Sequence, residues 1–363
     1  MPAPTPMPHT HWSRVVAIGT GLVALASVLV LAFLWPSVTA EPKDLPLAVA
    51  GSGDAAQVAQ VEAGIAEHAP DAFTFVEVED RTAAVDAIET REAYGAVVLG
   101  AQPEVLTASA ASPVVAPMLA GLQPALQAQV DAALAAQAAP ADAQVTVGLT
   151  DVVPLSADDA RGTTMAAASF PLVLGGMIGG IAISTLVVGV WRRVTGLVVY
   201  SVAGGTAIAG ILHALGGLQG AFWGDAGVVA LTLFGIGAVI TGAVALLGTR
   251  GIAVGPVLFL LVANPLSGAQ LPVEFMARPW GEVGQWMPPG ASSTLLRDLS
   301  YFPRADVALL WSVLAGWAAL GLLLSTLGHF KNRGAATAEA LHEASEDDEH
   351  EVHGRHVAEL AGD

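Results

Sequence analysis

Uncharged apolar runs, set apart by one long polar block, give this chain its pattern. Residues 15–35 form a 21-residue run without a charge, close to the ~20 residues a helix needs to cross the hydrocarbon of a bilayer. A polar, acidic block follows over 41–165. Apolar runs then return at about 168–190, 194–217, 226–247, 251–263 and 306–328. The pattern predicts a polytopic α-helical membrane protein of six transmembrane segments. An α/β domain is inserted between the first and second.

The ends of the runs suggest an orientation. Two connections are short and basic, Trp191-Arg192-Arg193 and Gly248-Thr249-Arg250, and such connections stay in the cytoplasm. Placing Arg14 inside also places Arg192, Arg193, Arg250, Lys331 and Arg333 inside. This makes 1–14 a short cytoplasmic N-terminus, 41–165 extracellular, and 331–363 an acidic, disordered cytoplasmic tail of a multi-pass cell-membrane protein. Arg278, Arg297 and Arg304 then fall outside, against the trend. A competing reading of 15–35 is a cleaved signal peptide, since Val38-Thr39-Ala40 offers small residues for processing. Its length favours a retained anchor.

The run at 251–263 is the weakest span. Thirteen residues rise only about 20 Å as a helix, and Pro256 interrupts them, so a broken helix sheltered by neighbours is expected. The next stretch, 264–303, belongs to the membrane domain 168–328. It is rich in proline yet carries Leu266, Phe275, Met276, Trp280 and Trp286. It reads as short helices at the outer interface, with Trp280, Trp286, Tyr301 and Phe302 as anchors.

Within 41–165 both periodicities alternate. Strands are predicted at 45–50, 73–78, 96–99, 105–110 and 145–153. Helices are predicted at 55–67, 81–91 and 114–136, the last broken at Pro124. This alternation indicates a small α/β domain around a central sheet, whose strand order the pattern leaves open. Gly51-Ser52-Gly53 after the first strand reads as a tight turn; the alternative is an anion site at a helix start.

Composition sharpens the picture. Charged residues make up 13% and apolar residues 54%, far from the ~25% charged of a soluble domain. The net charge is −18, with 18 acids against 4 bases in 41–165 and 9 against 3 in 331–363. Nucleic-acid binding needs a basic footprint, which is missing here. Cysteine is absent, which excludes disulfides and thiolate chemistry.

Catalytic signatures are also absent, and no enzyme is expected. His213 is the histidine inside a predicted span, an intramembrane polar site that needs a partner such as Asp225 to relay protons; bonding to backbone or water is the alternative. Asp298 and Asp306 are candidates to pair with Arg297 or Arg304. Gly175, Gly176, Gly179 and Gly180, then Gly204, Gly205 and Gly210, supply small faces for close helix packing. His342, His350, His353 and His356 lie among tail acids, where a solvated tail outweighs a metal site, so neither metal nor cofactor is expected.

One motif set goes further. Asn264-Pro265-Leu266-Ser267-Gly268, Leu271-Pro272, Trp286-Met287-Pro288-Pro289-Gly290-Ala291 and Leu296-Arg297 resemble the outer segment of ABC-2-type permeases of the YhgE/Pip-like group. Tyr94-Gly95-Ala96-Val97-Val98 and Asp151-Val152-Val153-Pro154-Leu155, with Asp158-Asp159 and Arg161-Gly162, are similar as well. The resemblance implies a permease subunit of an exporter that moves apolar or amphipathic material. It also implies a separate ABC ATPase, since this chain has no P-loop lysine motif, and a homo- or heterodimer in the lipid bilayer. Trp191, Arg192 and Arg193 match the ATPase-coupling loop. A non-transporting envelope scaffold that binds extracellular partners through the acidic domain is the alternative.

Overall fold

A computed structural model of the chain describes residues 11–51, 55–136 and 144–331. Ser52 and Gly53, the tail histidines and most of 1–14 lie outside these residues. Helix α1 (Trp12–Val38) buries none of its side chains. The inserted domain then runs β1 (Leu45–Ala50), α2 (Ala55–His68), β2 (Phe73–Val78), α3 (Arg81–Glu89), β3 (Gly95–Val98), β4 (Glu104–Thr107), α4 (Val115–Ala120), α5 (Leu122–Ala136) and β5 (Gly148–Asp151).

The strands form one sheet in the order β2-β1-β3-β4-β5. β1 pairs in parallel with both β2 and β3, with Val49 opposite Glu77 on one side and Val97 on the other. β3 and β4 are antiparallel and β4 and β5 parallel. Sequence accounts for the placement. β1 and β3 are almost wholly apolar and buried, as central strands covered on both faces must be. β2 alternates and sits at the edge, half exposed.

The expected helix over 114–136 is two helices, and the break falls at Gly121 instead of Pro124. Pro124 is the third residue of α5, where the backbone N–H has no intrahelical partner, so proline costs little there. A cap joins the domain to the membrane. Asp159 accepts hydrogen bonds from Thr163 N and Thr164 N, both at 3.0 Å, and starts α6 (Thr163–Leu186). Gly162 before it has φ +62°, a left-handed conformation that favours glycine.

The membrane domain continues with α7 (Val190–Ala214) and α8 (Phe222–Leu247). After two short helices, α9 (Trp280–Gln285) and α10 (Pro288–Tyr301), comes α11 at Ala308–Lys331. Among the described residues, five helices are long and apolar enough to cross a membrane: α1, α6, α7, α8 with its extension to Ala253, and α11. The glycines do what their spacing implied. A Cβ at Gly180 would stand 2.8 Å from the Gly237 Cα, and one at Gly205 would stand 2.7 Å from the Ala230 N. Both sites set α8 tightly between α6 and α7. Gly210 meets nothing within 4 Å.

The sixth expected segment, 251–263, is not a spanning helix. Its start belongs to a 3-10 turn, Gly248–Ala253, and the rest is a π-helix, Pro256–Ala263. The turns run without a break from 248 to 263, and these sixteen residues cover about 24 Å at the α-helical rise, short of the ~30 Å of hydrocarbon. Gly251 packs on Ala243 at the end of α8 remote from the α/β domain. Ala263 joins a cluster with Val173 and Phe259. The chain thus returns toward the domain as an irregular, one-sidedly packed link: Phe259 and Ala263 are buried, while Val257 and Val262 are exposed.

Candidate functional site

At the domain end of the bundle, the link opens into a cavity of about 200 Å³ between the ends of α1 and α6 and the loop after the π-helix. Phe33, Phe170, Asn264, Ser267, Gly268 and Met276 form much of its wall, and every lining residue is uncharged. The Phe33 and Phe170 rings meet edge to face with centroids 6.2 Å apart. The wall is therefore uncharged but mixed, its rings and aliphatic groups interleaved with the amides of Asn264 and Gln270 and the hydroxyls of Ser37, Ser169 and Ser267.

The loop is held by its own motif residues. Asn264 donates its backbone N–H to Phe259 O at 3.0 Å, the five-residue step of a π-helix. Such turns are rare and recur at functional sites. Gly268 has φ +68°. The Ser267 carbonyl accepts from Gln285 Nε2 at 3.2 Å and from Ser293 Oγ at 3.4 Å. Gln285 is fixed in turn by Thr294, whose Oγ1 donates to Oε1 at 2.7 Å. Pro288 and Pro289 open α10, where a missing N–H is harmless. Pro272 precedes the short 3-10 turn Val273–Phe275. Asn264 is only 9% exposed, and its Oδ1 has no hydrogen-bond partner. A buried, unsatisfied amide oxygen is costly.

Arg297 does not reach this cavity. It lines a neighbouring cleft that shares Ser169 and Ala269 with it and has a volume of about 20 Å³, room for about one water. Burial pulls its guanidinium below the usual arginine range, and the nearby positive Arg91 adds to this.

The expected pairing of Asp298 is corrected. Arg91 of the α/β domain places its Nε 3.2 Å from Asp298 Oδ1; the adjacent Arg297 does not pair with it. Successive residues on a helix point in different directions and do not face each other. Arg304 pairs across to Asp86 and, at 2.9 Å, to Glu89. Asp306 instead accepts the Ala308 N–H at 3.0 Å, at the start of α11. Tyr94 donates its hydroxyl to Glu274 at 2.8 Å, and Arg278 pairs with Asp44 at 3.2 Å. These bonds clamp the domain onto the 264–303 segment. They also give Arg278 and Arg304 acidic partners on the domain side. Sequence reasoning missed Arg91, Tyr94 and Glu274 as a group.

His213 and Asp225 do come together, with Nε2 and Oδ2 2.8 Å apart. Asp225 is fully buried, and its Oδ1 has no partner. Replacing His213 with leucine is expected to destabilise the protein by about 2 kcal/mol, because it strands a carboxyl group inside the bundle. Asp225→Asn in the same background should recover part of this in thermal melts; an unchanged melting temperature for His213→Leu would remove the pair's structural role.

The expected short connection at Trp191-Arg192-Arg193 is also shifted. Trp191, Arg192 and Arg193 are the first turn of α7, and the connection itself is 187–189. Arg193 donates to the Val187 carbonyl at 2.7 Å at the end of α6, while Trp191 and Arg192 are exposed. Among the described residues no cluster of metal ligands is present. No protein-family model, curated protein or solved structure matches the chain.

Proposed function

We propose that the chain is the membrane subunit of an ABC-2-like exporter of apolar or amphipathic material, with the ATPase on a separate polypeptide and no catalysis of its own. The observation that carries the reading is the uncharged cavity between α1 and α6, bounded by the loop that bears the Asn264–Gly268 motif. A charged solute would meet no counter-ion in this wall, so the cavity favours a neutral one. In this reading the α/β domain lies outside the cell. The basic residues at the opposite end, Arg192, Arg250 and Lys331, face the cytoplasm. The exposed length of α1 is available to lipid or to the second subunit of a dimer.

Trp191 and Arg192 are then the exposed contact for the ATPase. Arg192→Glu is expected to cut co-purification of an ATPase at least fivefold and to lower efflux in parallel, with folding unchanged. Recovery of no ATPase with the wild-type chain, together with unaltered efflux in a deletion strain, defeats the proposal.

A second reading, an envelope interaction protein, draws on a crevice of about 260 Å³ in the α/β domain. It lies beside Val98, Leu99 and Gly100, where β1 leads to β2 on one side and β3 pairs on the other. Open α/β sheets bind ligands at such switch points. The deletion strain separates the two readings, since a pure interaction protein leaves efflux intact.

A further inference from the structure

We propose that a notch between the ends of α8 and α11 binds the phosphate of an anionic phospholipid, held between Arg250 and Lys331. The site lies at the end of the bundle remote from the α/β domain and does not depend on the transport reading. In the proposed orientation it faces the cytoplasmic leaflet, where anionic lipid concentrates.

Three observations combine. The first is how charge is distributed. At this end of the bundle, the stretches 11–18, 187–194, 244–254 and 326–331 hold Arg14, Arg192, Arg193, Arg250 and Lys331, and no Asp or Glu. Arg250 is exposed, and among the described residues its guanidinium has no ion-pair or hydrogen-bond partner. Its counter-ion must come from outside these stretches.

The second is a fixed shape. α8 and α11 pack closely through glycine: a Cβ at Gly321 would stand 2.4 Å from the Ala238 carbonyl carbon, and one at Gly328 would stand 2.7 Å from that of Ala245. The seam ends in an open notch of about 560 Å³, lined by 244–248, Arg250 and Lys331. Lys331 reaches over to α8, its Nζ donating to Leu246 O at 2.9 Å. An ammonium has three N–H donors, so two remain for a phosphate. The end of α8 opposes an anion with a dipole charge of about −0.5. Two full positive charges outweigh it.

The third observation is depth, which selects lipid over a soluble anion. α8 with its extension and α11 are both spanning helices, and the notch lies where the two end, at head-group level. Leu247 in the notch and Phe330 beside Lys331 are exposed. A phospholipid offers these side chains an acyl chain as well as offering the cations a phosphate. Basic pockets between spanning helices at this depth suit acidic head groups, whereas a zwitterionic head carries its own cation.

The test exploits the absence of cysteine. The full chain with Thr249→Cys, an exposed position next to the notch, is labelled with a fluorophore in phosphatidylcholine nanodiscs. A minor fraction of nitroxide-labelled phosphatidylglycerol or nitroxide-labelled phosphatidylcholine serves as quencher. The anionic quencher is expected to be enriched about tenfold or more at 249, and not at Val202→Cys, which is exposed on α7. Arg250→Gln and Lys331→Gln should each cut the enrichment about fivefold, the equivalent of the ~1 kcal/mol a basic residue gains at an anionic surface. Arg14→Gln removes a cation of the same end outside the notch and should leave the enrichment unchanged.

Equal quenching by the two lipids at 249 overturns the proposal. So does an enrichment that Arg14→Gln lowers as much as Arg250→Gln, the mark of diffuse surface charge. Free inorganic phosphate should not displace the lipid; if it does, the occupant is a soluble anion. The chain's own Glu346-Asp347-Asp348-Glu349 is the remaining competitor. Deleting 334–363 should leave the enrichment in place, and an enrichment that appears only after the deletion assigns the notch to the tail instead.

Discussion

Replacing Arg91 with alanine is expected to lower stability by about 3–5 kcal/mol, the usual cost of removing one partner from a buried ion pair. Asp298 is 4% exposed, and Arg91 is its ion-pair partner, 3.2 Å away. The guanidinium also sits 4.8 Å from the Phe302 ring centroid and 5.5 Å from that of Tyr94, where a cation is attracted to the ring faces. Arg91 has φ +68°. Alanine carries the same Cβ, so the backbone cost is unchanged and the loss reports the side chain. The pH dependence has a defined sign. Burial raises the Asp298 carboxyl above the ordinary carboxylate range, and Arg91 opposes that rise. The folded protein therefore holds this proton more tightly than the unfolded chain does. From this group, stability falls as pH climbs from the unfolded value of about 4 toward the folded one. Without Arg91 the fall should be larger and reach higher pH. Acidification, or Asp298→Asn, should restore much of the loss. Denaturant melts across pH, with hydrogen exchange at Phe302 and along α3, measure this. A variant within 1 kcal/mol of the parent would show that the clamp is not held here.

The second large effect is expected at Gly284. A Cβ there would overlap the Leu266 carbonyl oxygen, and one at Gly290 would overlap the Gly284 carbonyl. Backbone cannot yield as a flexible side chain does, so Gly284→Ala is expected to cost about 3 kcal/mol or more, at the upper end for overpacking. Leu266 lies inside the loop that frames the cavity, so the same change should also displace Asn264. Gly316→Ala is the matched control. Its Cβ meets nothing within 4 Å, and a helix interior gains about 0.5–1 kcal/mol from alanine over glycine. Thermal unfolding of the two purified variants should therefore move in opposite directions. A shift of the same sign and size in both would break the argument.

Much of the fold could be read along the chain. The long apolar runs mark α1, α6, α7, α8 and α11 because a helix in lipid must satisfy its backbone internally over a fixed thickness. The β1 and β2 bounds follow from a run of buried residues in one and alternation in the other. The motif residues from Asn264 to Gly268 could be singled out, but their work could not. Asn264 and the end of α1 stand far apart in sequence, and only packing brings Phe33 and Phe170 together. The clamp was hidden for the same reason, since 180 residues separate Tyr94 from Glu274.

Local pattern also misjudged three places. A thirteen-residue apolar run counted as a sixth span is not among the five spanning helices, although its expected break is there: the backbone winds as 3-10 and π turns against α6, α8 and α11. Pro124 suggested a break, yet it stands where a helix does not need its N–H. The basic triplet at Trp191 suggested a connection, yet it begins α7. The sequence by itself determined the spanning helices, the inserted α/β domain and the acidic balance, because hydrophobic length and periodicity are local properties. The tertiary structure alone decided the sheet order, the clamp and the neutral cavity with its unpartnered amide, because each depends on which distant groups share a desolvated space.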